Sequence, residues 1–303
     1  MGLMNRRSFL QTVTAAATGA ACSPLALTQA AQTARGAAWP IGCLNRPWVN
    51  EKEHWTYDTA LDGIKAAGYK LTGLLTRTGK EPFIGSDATP EYLAELKKKI
   101  AARGLSVNMG ALRTKNDLPL NTQIKDVRQQ IDNGKFVGVQ YLLTFGVDKA
   151  GHYENYYKLM RDAAAYAQER GLKLVLKPHG GASGAAEEIM RCREQVKHAN
   201  FNIWFDPGNI IFYTGKDPLE QLKPIAAHVT GVCAKDCDQQ KGSVWLEFGA
   251  GKVDFHAVFG ELKQAGFNGP VMVECCAQGE TPAAITASAR KNREYLEKVF
   301  ASL

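Results

Sequence analysis

The chain has 303 residues, 45% of them hydrophobic and 22% charged, with a formal net charge of +7; this is the composition of an ordinary globular protein with a sizeable core. The basic balance does not point to nucleic acid, because lysines and arginines are scattered along helical stretches and runs such as Lys97-Lys98-Lys99 read as solvated helix faces. Seven cysteines, at positions 22, 43, 192, 233, 237, 275 and 276, form no CxxC pair, so a zinc site built only from cysteines is not expected and spacing assigns no disulfide.

In chain order, the first feature is Asn5-Arg6-Arg7-Ser8-Phe9-Leu10-Gln11, a twin-arginine pattern followed by a weakly apolar Ala/Thr/Gly-rich run and small residues around Ala26 to Ala31. The pattern predicts an export signal over residues 1–34 and a periplasmic mature chain from residue 35 onward. Cys22 follows Gly19-Ala20-Ala21; the residue three before it is not aliphatic, which favours soluble release over lipid anchoring. No later apolar run is long enough to span a bilayer, so no integral membrane segment is expected in the mature chain.

From Trp39 onward the period alternates between short apolar runs and amphipathic stretches. The predicted strands are Ile41–Asn45, Leu71–Thr76, Leu105–Leu112, Val139–Phe145, Leu172–His179, Phe201–Asp206, Val229–Lys235 and Pro270–Glu274, with helices such as Pro90–Arg103, Tyr153–Glu169 and Asp254–Ala265 between them. Helices stop at Ala67-Gly68, Arg103-Gly104, Arg170-Gly171 and Ala265-Gly266, where glycine accepts the left-handed conformation of an αβ turn. Eight such units over about 265 residues predict an α/β fold, a single-domain (β/α)8 TIM barrel over residues 35–303. A doubly wound sheet would carry a GxGxxG after its first strand, and none is present.

Barrel chemistry sits where strands end and βα loops begin. Four strand ends are rich in polar groups: Lys177-Pro178-His179, Asp206-Pro207-Gly208-Asn209, Cys233-Ala234-Lys235-Asp236 and Glu274-Cys275-Cys276. Strand alternation turns Lys177, His179, Cys233, Lys235 and Glu274 toward the barrel mouth, while Leu174 and Leu176 face the helices. Two lysines, a histidine and two carboxylates converging in this way form an active-site composition, because their charges perturb one another. Cys233 has Lys235 two residues on, as a thiolate nucleophile would, although strand cysteines are more often small buried hydrophobes. Gly180, Gly181 and Gly184 let the loop after His179 approach a ligand closely. His152, His228 and His256 ride or end helices and are read as surface residues.

Asp206-Pro-Gly-Asn, Ala234-Lys235-Asp236, the segment Gly249-Ala-Gly-Lys-Val-Asp254-Phe255 and Val273-Glu274 together resemble the sugar phosphate isomerase/epimerase group of xylose-isomerase-like TIM barrels, which shares its fold with the type 2 AP endonucleases. The similarity runs from about Trp39 to Phe300. The resemblance implies a divalent metal, commonly manganese, held by Glu, Asp, His and Glu from the last four strands, with carboxylates that move a proton beside a carbonyl. Asp206 and Glu274 match the second and fourth positions. Lys177 stands at the first and Cys233 at the third, and Asn209 replaces a further histidine.

These departures leave three readings. A rearranged site would hold manganese, cobalt or zinc through His179, Asp206 and Glu274. A metal-free site would let Lys177 supply the positive charge. A catalytically inactive barrel would bind a carbohydrate without turnover. The expected function is an exported protein that acts on a carbohydrate or keto-sugar by proton abstraction next to a carbonyl, leading to isomerisation, epimerisation or β-elimination. Glu274 is the expected base, Lys177 the charge stabiliser and Lys235 a second electrophile or acid. Asn45, Arg77, Asn108, Thr144 and Asn209 are candidates for substrate hydroxyls, with Arg46 and Arg113 nearby; Trp48, Phe83 and Tyr213 are loop aromatics able to cover a sugar face. A nuclease role is disfavoured, since the strand ends are poor in the histidines of a three-zinc cluster and an exported protein does not meet chromosomal DNA.

Overall fold

Eight parallel strands close into a barrel in chain order: β1 Ile41–Leu44, β2 Leu71–Leu74, β3 Ser106–Ala111, β4 Tyr141–Thr144, β5 Lys173–Leu176, β6 Phe201–Phe205, β7 Val229–Ala234 and β8 Val271–Val273, with β8 pairing back to β1. The structure, a computed structural model, describes residues 39–49, 55–77 and 81–303. Around the barrel, among the described residues, run α1 Tyr57–Ala66, α2 Pro90–Ala101, α3 Leu120–Val137, α4 Tyr153–Glu169, α5 Ala186–Val196, α6 Pro207–Thr214, α7 Pro218–Leu222, α8 Phe255–Gln264 and α9 Pro282–Ser302. The predicted (β/α)8 barrel is the observed fold. The export signal and Cys22 lie outside the described residues. No helix among the described residues is long and apolar enough to cross a membrane.

Alternation sorts each strand into two faces. Leu44, Met109, Leu143, Val175, Trp204, Cys233 and Met272 fill the barrel interior. Their neighbours Leu142, Leu174, Leu176, Ile203, Val232 and Val273 pack outward against the helices. Helix starts are fixed by side chains that accept from early backbone N–H groups, among them Thr56, Thr89, Asp206, Asp254 and Thr281. Gly68, Gly104, Gly171 and Gly266 have positive φ in the predicted αβ turns.

Strands are shorter than predicted at their C-terminal ends. Pairing of β5 stops at Leu176, because Pro178 has no N–H to donate and Lys177 is already turned toward the mouth. Two aromatics expected over the mouth belong to the core instead. Trp48 is buried with its indole against Gly63, where a Cβ would lie 2.5 Å from the ring. Phe83 is buried edge-on to Tyr57, with ring centroids 4.8 Å apart.

Candidate active site

The ends of β5, β6, β7 and β8 place Lys177, Asp206, Lys235 and Glu274 in one cluster, each almost wholly buried. Lys177 Nζ lies 2.9 Å from Asp206 Oδ2 and also donates to Glu274 Oε2. Lys235 Nζ lies 3.1 Å from Asp206 Oδ2 and 2.8 Å from Glu274 Oε1. Arg46, just after β1, adds a third cation at 3.0 Å from Glu274 Oε1. Burial alone would raise the Glu274 pKa, but Lys177, Lys235 and Arg46 outweigh it and hold the carboxyl well below the usual range. Burial likewise works against the charge on Lys177, and Asp206 and Glu274 override it, so its pKa is raised.

The local sequence explains this placement. Asp206 caps α6: Oδ1 accepts from Asn209 N at 2.9 Å, Pro207 fits the first helical turn, and Oδ2 is left for the lysines. Gly208 makes room for Lys235, since a Cβ there would sit 2.7 Å from its carbonyl oxygen and 2.8 Å from its Cγ. Asn209 completes the support: Oδ1 accepts from Lys235 at 2.8 Å, and Nδ2 donates to Pro178 O at 2.7 Å. One residue past Lys235, strand alternation turns Asp236 the other way. Its carboxylate accepts from the backbone N–H groups of Cys237, Gly249, Gly251 and Val253, at 2.8, 3.0, 2.9 and 3.1 Å. That grip folds the loop between β7 and α8 back on itself and accounts for the Gly-Ala-Gly-Lys-Val-Asp segment.

Above the cluster opens a cavity of about 500 Å³, lined by Arg46, Arg77, Arg113, Lys177, His179 and Glu274 together with Phe145 and Trp245. His179 packs between Phe145 and Tyr213, with its ring nitrogens 3.2 and 2.9 Å from the Tyr213 hydroxyl. Burial, then the charges of Lys177 and Lys235, push the ring down to about 3, so it is neutral at ordinary pH. Gly180 and Gly181 have positive φ, and a Cβ on Gly181 would meet Val147 O at 2.4 Å.

Several residues expected to reach substrate do not line this cavity. Asn45 is buried with both polar atoms engaged: Nδ2 donates to Thr76 O at 2.5 Å and Oδ1 accepts from Leu75 N and Thr76 N. It ties the end of β1 to that of β2. Asn108 pairs with Gln140 at 3.1 Å, beside the start of β4 and below the mouth. Thr144 faces outward, and its hydroxyl meets Tyr156 of α4 at 2.9 Å. Asn209 acts on Lys235 rather than on the cavity. Cys233 belongs to the barrel interior, and burial pushes its thiol well above the ordinary value, which removes a thiolate role.

Among the lining residues that the sequence did not mark as candidates are two aromatics, besides Val49, Leu75 and Thr76. Trp245 comes from the β7–α8 loop and carries the Arg46 guanidinium over its ring at 5.2 Å. Phe145 follows β4 and lies under the Arg113 guanidinium at 5.5 Å. An aromatic beside a basic loop was the available signal, but it has no fixed spacing.

The divalent ion that the resemblance implies does not fit these residues. Among the described residues, Asp206, Cys233 and Glu274 place potential ligand atoms within 4.8 Å of one another, and His179 is not part of that group. The expected set of His179, Asp206 and Glu274 is therefore not gathered. The carboxylate oxygens that would bind an ion already face Lys177 and Lys235, whose ammonium groups only donate and repel a cation. Burial disfavours the thiolate of Cys233.

Comparisons with known proteins agree with this architecture. An L-ribulose-5-phosphate 3-epimerase of Salmonella paratyphi C is 28% identical over 222 residues, covering 67% of this chain and 77% of that protein. An inosose dehydratase of Geobacillus kaustophilus is 24% identical over 300 residues, covering 86% and 94%. The crystal structure of a D-allulose 3-epimerase from Methylomonas sp. superposes with a TM-score of 0.67 at 16% identity, covering 88% and 99%, a likeness of fold. The family model of the xylose isomerase-like TIM barrel matches residues 61–299. With that span, the closed barrel and the charged residues gathered at its mouth, the chain belongs to the xylose isomerase-like TIM-barrel family.

Proposed function

We propose that the protein is a periplasmic enzyme of the sugar isomerase and epimerase kind that works without a divalent metal on a keto-sugar or related polyhydroxy ketone. The observation that carries this reading is the pair of ammonium groups, Lys177 and Lys235, held against Asp206 and Glu274. Together they bring the two positive charges that a divalent ion would bring. Lys177 and Glu274 also face the cavity, where a substrate would sit.

A carbonyl oxygen seated against Lys177 accepts a hydrogen bond from the ammonium. The adjacent C–H bond then breaks, its electron pair moves toward the carbonyl oxygen, and the proton passes to the Glu274 carboxylate. The enolate charge is met by an ammonium already in place, in a site largely withdrawn from water. Three cations make Glu274 a weak base at rest. As the substrate oxygen draws Lys177 away, that hold loosens and the carboxylate regains basicity. Protonation of the same carbon from its other face by a second donor gives an epimer; return of the proton to the neighbouring carbon, with a hydroxyl proton moving to the former carbonyl oxygen, gives an isomer; and departure of a β-hydroxyl with that proton as water gives a dehydrated product. The epimerase and dehydratase names of the relatives are consistent with this shared first step.

The test is deuterium uptake. Purified protein in D2O with EDTA is incubated with a panel of ketopentoses, ketohexoses and inositol ketones, and proton spectra are followed. Exchange beside the carbonyl that persists in EDTA and is lost in Lys177→Met and Glu274→Gln supports the reading. Exchange that requires added manganese contradicts it. Binding without exchange across the panel favours the carbohydrate-binding alternative, which full pairing of both carboxylates also permits.

A further inference from the structure

Among the described residues, the charges around the mouth do not balance: Lys177, Lys235 and Arg46 face Asp206 and Glu274, which leaves one positive charge in excess. Arg113, just after β3, adds another. It is half-buried, it lines the cavity, and among the described residues it has no carboxylate within ion-pair distance. Its guanidinium donates to the Leu75 carbonyl and lies over the Phe145 ring. Burial and the nearby charge of Arg77 both disfavour the Arg113 cation. Arg77 itself is paired, among the described residues, with the exposed Asp87 at 3.2 Å. Among the described residues, a neutral sugar in this cavity would leave two cationic charges without a carboxylate counterpart while covering them from water, and unpaired charge withdrawn from water is unfavourable.

We infer that the cavity takes a polyhydroxy ligand bearing an oxyanion, a carboxylate or a phosphate, bound by Arg113 with Arg46 and Arg77. A planar guanidinium presents paired donors that match the two oxygens of such a group. The three arginines follow β1, β2 and β3, whereas Lys177 follows β5, and Arg46 meets Glu274 of the neighbouring β8, so the anion sits over β2 and β3 with the reacting carbons toward Lys177 and Glu274. This assignment rests on the reading of the mouth as a sugar site, but it does not depend on turnover.

Calorimetric titration tests it with a hexuronate, a 2-keto sugar acid, a ketopentose 5-phosphate and a neutral ketohexose, against wild type, Arg113→Met and Arg113→Lys. The expected result is at least about tenfold tighter binding of one anionic class over the neutral sugar, weakened by salt, with the preference lost in Arg113→Met and partly restored in Arg113→Lys. The phosphate and carboxylate arms identify the group. Equal affinity for neutral and anionic sugars, equal loss for both in Arg113→Met, or no anionic binding below about 10 mM would each overturn it. Circular dichroism on the variants separates loss of recognition from loss of fold. Anion preference without deuterium exchange would leave this inference standing and remove the proposed chemistry.

Discussion

The two halves of the barrel mouth handle charge in opposite ways. On the side of β5 to β8, Lys177, Asp206, Lys235 and Glu274 are buried and ion-paired among themselves, with Asn209 accepting from Lys235 and the α6 N-terminus donating to Asp206 Oδ1. On the side of β1 to β3, Arg46 turns to Glu274 at the end of the neighbouring β8, while Arg77 and Arg113 line the cavity. The paired half is a prepared charge centre and the open half a receptor. Taking charges out of water is costly, so the first arrangement holds only while every partner is present. The second awaits a partner from solution.

Substitutions can break this contrast. Lys177→Met strips one ammonium from two buried carboxylates, and urea unfolding should show a loss of about 3–5 kcal/mol. Arg113→Met removes a cation that has no carboxylate partner, and its stability should stay within about 1 kcal/mol of wild type, because the lost bond to Leu75 O is offset by relief of a desolvated charge. Equal losses in the two variants would mean that the halves do not differ as described.

A smaller effect follows from His179. Its folded pKa, at about 3, lies below the ordinary 6.5, so the unfolded chain takes up the proton first as pH falls. Its contribution to stability is complete above about 6.5 and is lost progressively toward about 3. Over that window, stability of His179→Gln should fall less steeply with acid than that of wild type. Identical slopes would show that the ring is not held neutral.

Much of this was legible in the sequence. Periodicity and the glycine stops located all eight strands, and parity turned Lys177, Lys235, Glu274 and Cys233 inward as observed. Parity was not carried through to Thr144, whose neighbour Leu143 fills the barrel interior, so its hydroxyl points to α4. Asn108 precedes Met109 of the barrel interior, at the irregularity in the β2–β3 register, and its amide is taken up by Gln140 before β4. Asn45 could not be read because its partners are backbone groups of the next strand, which carry no sequence signal. Trp48 and Phe83 sit in loop positions but fold into core, where burying a large ring outweighs its place in the chain. Above all, the sequence named Lys177 as an intruder in a metal site, while the role of Lys235 as its partner needed the third dimension.

The most direct test of the central claim is elemental analysis of the protein purified without chelators and then supplied with manganese, cobalt or zinc, beside an Asp206→Ala/Glu274→Ala control. The lysine pair predicts no stoichiometric metal in the wild-type protein under any of these conditions. Near-stoichiometric metal that disappears in the control would contradict it and restore a metal centre despite Lys177 and Cys233.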